Sequence, residues 1–114
     1  MFPGTRTILW INAARKEFDA FPAGARLDCA MALTIAAAGE MAGTAKPMRG
    51  LGSGVFEIAL PFEGNAYRIV YAVQIADEIW VVHAFQKKST QGIKTPKHEI
   101  DLIKYRLKRL KEMP

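Results

Sequence analysis

At 114 residues the chain has the size of one domain with one modest core. Half of its residues are hydrophobic, which excludes a disordered chain. Its longest apolar run, residues 29–39, is shorter than the ~20 residues a membrane-spanning helix needs. The net charge of +5 is one-sided: residues 1–64 carry six basic and six acidic side chains, residues 65–114 carry ten and five. A basic half of this kind suggests a polyanionic partner, either nucleic acid or an acidic protein segment, with a merely solvated surface as the bland alternative.

A first strand is predicted over residues 5–11. Asn12 is a fair helix N-cap for a short helix over residues 13–21, which Pro22 stops. Residues 23–38 are alanine-rich, with Leu27, Met31, Leu33 and Ile35, and predict a second helix capped by Gly39. The two helices form an αα-hairpin. Met31 and Met41 read as core filler, and Cys29, the single cysteine, as a buried, inert thiol. The first six residues do not read as a secretory signal, and the expected location is cytoplasmic. His83 and His98 lie too far from each other and from Cys29 for metal-ligand spacing, so neither metal nor cofactor is expected.

Residues 43–54, G-T-A-K-P-M-R-G-L-G-S-G, read as a glycine-rich loop. No Walker pattern is present, so the glycines serve to turn the chain, while Lys46 and Arg49 can overhang a site. Three strands follow, over residues 55–60, 66–74 and 79–85. A turn at Gly64-Asn65 joins the first two, and the short links imply an antiparallel meander. In the middle strand Tyr67, Ile69, Tyr71 and Val73 form the bulky core face. Arg68, Val70 and Ala72 form a more open face with room for a ligand. Glu57, opposite the bulky set of its own strand, is a candidate ion-pair partner for Arg68. In the last strand Val81, His83, Phe85 and Lys87 alternate with Val82, Ala84, Gln86 and Lys88, and either set can join Arg68. A loop carrying Lys94 leads to Thr95, a candidate N-cap, and Pro96 at a helix start. Ile100, Ile103, Leu107 and Leu110 then make one apolar stripe, opposite a stripe that includes Lys97.

The strings K-P-M-R-G-L-G-S-G-V-F-E-I, Y-R-I-V-Y-A-V and V-V-H-A-F-Q-K-K-S-T-Q-G-I-K-T-P-K-H-E-I-D-L-I-K-Y-R-L resemble the phage-derived, HigB-like branch of the RelE/ParE toxin superfamily. The resemblance implies one α+β domain over residues 1–114: an N-terminal helical hairpin packed on an antiparallel sheet, with a basic C-terminal helix. It implies a toxin that cuts mRNA on the ribosome and is neutralised by a cognate antitoxin of helix-turn-helix type, with higher toxin–antitoxin assembly possible. The alternatives are a ParE-like gyrase inhibitor and a non-catalytic, degenerate mobile-element protein that only binds its antitoxin.

RNA cleavage of this kind uses the ribose 2′-hydroxyl as nucleophile, so fixed cations at the phosphate lower the barrier. Arg68 leads the catalytic candidates, because its planar fork can hold two phosphate oxygens. Lys87 and Lys88 add charge, and one of them can titrate low enough for proton transfer. His83 is a candidate base or a packed core residue. Glu57 is a candidate base or a support for Arg68. Lys46, Arg49, Lys94 and Lys97 are candidate RNA contacts. Phe85 is a candidate stacking platform or sheet core.

Overall fold

The computed structural model describes residues 5–75, 77–88 and 95–112, without the side chains of residues 74, 75 and 88. Five strands and three helices follow among these residues. They are β1 (Thr7–Trp10), α1 (Asn12–Asp19), α2 (Ala23–Ala37), β2 (Ala45–Pro47), β3 (Val55–Phe62), β4 (Asn65–Ile75), β5 (Glu78–Lys88) and α3 (Lys97–Lys111). The strands form one sheet in the order β1-β5-β4-β3-β2. The expected β3–β4–β5 meander is its centre.

Two short edge strands depart from the expected sheet. β1 pairs in parallel with β5, so the sheet is mixed. β2 lies inside the stretch read as a glycine loop and pairs antiparallel with β3. Strands of three or four residues leave almost no periodicity to read. The β3–β4 turn sits one residue earlier than predicted, at Glu63-Gly64, with Phe62 paired to Asn65. Both turn residues have positive φ, +50° and +82°, as a two-residue hairpin of this hand requires.

The sheet buries both faces. On one side Ile58, Leu60, Tyr67, Ile69, Tyr71, Val81 and Ala84 pack against Phe18 of α1 and Ala25, Cys29, Ala32, Leu33 and Ala36 of α2. On the other, Val55, Val70, Ala72, Val82 and Phe85 pack against Ile103, Leu107 and Leu110 of α3. The helical hairpin and α3 therefore form layers on opposite faces of one sheet.

The hairpin is as expected, with one correction at its start. Ile11, not Asn12, takes the N-cap position of α1, and no side chain caps it. α2 begins at Ala23, as predicted, so Gly24 lies within the helix. A Cβ at Gly24 would stand 2.5 Å from Cε1 of Phe62, so the missing side chain is what lets α2 rest on the end of β3. Gly39 closes α2 at φ +90°, its N–H donating to the Ala36 carbonyl and that of Glu40 to the Ile35 carbonyl. Met31 and Met41 are exposed rather than core; α2 turns its alanines and Leu33 to the sheet and leaves Met31 outside. Cys29 is fully buried, and burial, with the nearby Asp28 charge, pushes its thiol up to about 12.

Candidate active site

A β-bulge settles which residues join Arg68. Val70 pairs with His83 and Tyr71 with Val81, which leaves Val82 as an extra residue in β5. The strict alternation is broken there. Val82, His83, Phe85 and Lys87 all face α3, while Val81 faces the helical hairpin. Arg68, cross-strand from Phe85, and Glu57, cross-strand from Val70, share the α3 face, as does Lys46, paired with Glu57.

Glu57 is the centre of the group. It is 1% exposed and accepts a 2.7 Å hydrogen bond from Nη1 of Arg68 on one oxygen. On the other it accepts 2.9 Å from the hydroxyl of Thr95. The expected Glu57–Arg68 ion pair is thus present. Thr95 does not cap α3, because its hydroxyl is spent on Glu57 and Pro96 stands at the cap position. The face is not open, as the sequence suggested. Arg68 is 7% exposed and Lys87 1%. Burial pushes the Lys87 ammonium below its ordinary 10.5. The Arg68 and Lys46 charges push it the same way, and Glu57 offsets them in part. Three cations thus surround one carboxylate, an excess of positive charge that suits a phosphate.

A second network lies beside the first and was not anticipated. His83 is buried, with Nε2 2.7 Å from Oε1 of Glu99 and Nδ1 3.1 Å from Oε1 of Glu17. Arg106 donates to both Glu17 oxygens at 2.9 and 3.0 Å, and to the Val82 carbonyl at 3.0 Å. Glu17 also accepts from the Ala84 N–H at 3.3 Å. The pair occupies the stretch of β5 edge beyond the end of β1, where backbone groups lack a strand partner. Burial alone would raise the Glu17 carboxyl. The hydrogen bonds from His83 and Arg106 outweigh it and hold Glu17 at about 2. Phe85 stacks on His83, ring centroids 5.1 Å apart.

Lys46, though part of the group, is exposed on β2. The remaining candidates are dispersed. Arg49 is exposed just after β2. Lys97 is exposed on the first turn of α3 and paired with Asp101 at 3.0 Å. The side chain of Lys88 and all of Lys94 lie outside the described residues; in register, Lys88 pairs with Asn65. Glu99 and Arg106 left one signal in the sequence: with Ile103 and Leu110 they recur at helical spacing on the buried side of α3. Glu17 left none, since its partners Arg106 and His83 are 89 and 66 residues away.

This architecture is that of the RelE toxin. The chain resembles a doubly substituted E. coli RelE in the free state, with a TM-score of 0.61 and 17% identity over 92% of this chain and 97% of that one. It resembles isolated E. coli RelE with a TM-score of 0.60 and 19% identity over 88% and 97%. Residues 16–108 match the family described as phage derived protein Gp49-like (DUF891), and the chain belongs to that family. No curated protein matches it.

Proposed function

We propose that the protein is the toxin of a type II toxin–antitoxin pair and cuts mRNA on the ribosome. The observation that carries this reading is the Lys46–Glu57–Arg68–Lys87 group at one end of the α3 face. In the proposed reaction the ribose 2′-oxygen attacks the adjacent phosphorus and the 5′-oxygen of the next nucleotide leaves. A 2′,3′-cyclic phosphate and a 5′-hydroxyl result. Arg68 and Lys87 meet the charge that gathers on the non-bridging oxygens. Lys87, with its lowered affinity for a proton, is the residue suited to proton transfer. Glu57 orients Arg68. His83, held between Glu17 and Glu99, has a positioning role, and Phe85 buttresses it. Lys46, Arg49 and Lys97, with Lys88 and Lys94, guide the RNA backbone. A cognate antitoxin, the ribosome and mRNA are the partners, and the cytoplasm is the location.

The burial of Arg68 and Lys87 favours a second reading, in which the chain is a non-catalytic antitoxin-binding protein. Mapping of mRNA 5′ ends after induction in cells separates the two. New 5′-hydroxyl ends within codons support cleavage. Growth arrest with a DNA-damage response and no new ends points to gyrase, and neither response to a degenerate protein.

A further inference from the structure

At the other end of the α3 face lies a cavity of about 550 Å³ that the nuclease reading does not use. Trp10, Ile11, Trp80, Tyr105, Arg109 and Leu110 form most of its wall. Both tryptophans of the chain are among them. Trp80 is seven residues from Lys87 along β5, a distance of about 20 Å. The cavity is therefore remote from the cation group, and its volume is in the range of ligand and anchor pockets.

The wall decides what class of ligand fits. The Trp10 ring has Phe18 at 4.8 Å and the Arg15 guanidinium at 5.3 Å, and Tyr105 carries Arg109 at 5.9 Å. These rings already have company on their faces, which suits an apolar plug better than a stacked nucleobase. Arg106 is occupied by Glu17 and the Val82 carbonyl, so Arg109 is the cation at the mouth. Asn12 and Ala13, the first residues of α1, bring the positive end of a helix to the same space. Tryptophan, tyrosine and arginine around one concavity are the composition of an interface hot spot.

We propose that this cavity is the anchor pocket for an acidic amphipathic segment of a partner protein. One apolar side chain fills the space between Trp10, Trp80 and Tyr105, and flanking carboxylates meet Arg109. The proposal goes beyond the nuclease reading and does not depend on it.

Selection of random twelve-residue displayed peptides on the full chain tests it. The expected winners carry a Leu, Phe or Trp anchor and net negative charge, and change tryptophan emission on binding. Arg109→Glu, an exposed position, weakens them at least tenfold, as does Tyr105→Ala. Failure to enrich any peptide, enrichment of neutral or basic ones, or undiminished binding to Arg109→Glu overturns the proposal. So does an octauridylate probe that changes tryptophan emission and loses that effect in Arg109→Glu, which would make the cavity a nucleotide subsite.

Discussion

Glu57 shows how much one side chain organises. Its two oxygens hold Arg68 and Thr95, which ties β3, β4 and the approach to α3 at a single point. The pair is desolvated, with 9% and 2% side-chain exposure for Arg68 and Glu57. Removing one member of such a pair leaves an uncompensated buried charge, which typically costs about 3–5 kcal/mol. Glu57→Gln leaves Arg68, Lys87 and Lys46 without their anion. Denaturant unfolding is expected to show a loss of about 3 kcal/mol; a loss below about 0.5 kcal/mol would mean that the carboxylate charge does not hold the group together. This pair was legible in the sequence, because period-2 alternation puts Glu57 and Arg68 on the same side of neighbouring strands.

Between elements, the joint is Glu17–Arg106–His83–Glu99, which connects α1, β5 and α3. Its pH dependence follows from Glu17, whose carboxyl is lowered from 4.5 to about 2. A depressed carboxyl stabilises the fold fully above 4.5, and the contribution is lost as pH falls through about 2. The expected loss is at most about 3 kcal/mol across that window. Glu17→Gln should flatten the acid limb of the stability curve, measured by denaturant unfolding between those pH values. An unchanged acid limb would show that the joint does not bear load. The helical spacing of Glu99 and Arg106 was legible in the sequence, but their partners were not. Glu17 and Arg106 meet across 89 residues, and the bulge at Val82 breaks the alternation on which the strand reading relied. The buried side of α3, by contrast, was legible, because Ile100, Ile103, Leu107 and Leu110 form one apolar stripe, and its start lies one residue past Pro96. The burial of the Arg68 face was missed for the same reason the joint was: pattern assigns a residue to a face but does not say what later covers it.

At the scale of the molecule, the hairpin half is neutral and the half that follows is basic. Binding to RNA should accordingly weaken with salt, and each exposed lysine that meets a phosphate should contribute roughly 0.7 to the log–log slope. Lys46→Gln with Lys97→Gln is expected to lower the slope by about twice that amount, measured by anisotropy of a labelled oligoribonucleotide in a salt titration. An unchanged slope would remove both from the RNA path. The central claim concerns the buried cation group itself. Lys87 is 1% exposed and has two other cations nearby, so its protonated form costs stability below its ordinary 10.5. A residue kept there against that cost suits function better than folding. The direct measurement is cleavage of labelled mRNA on purified ribosomes by wild-type protein and Lys87→Met, each with its Tm. The account predicts cutting by wild type, at least a hundredfold slower cutting by Lys87→Met, and a Tm that is unchanged or higher. Wild-type cutting by a fully folded Lys87→Met protein would contradict it.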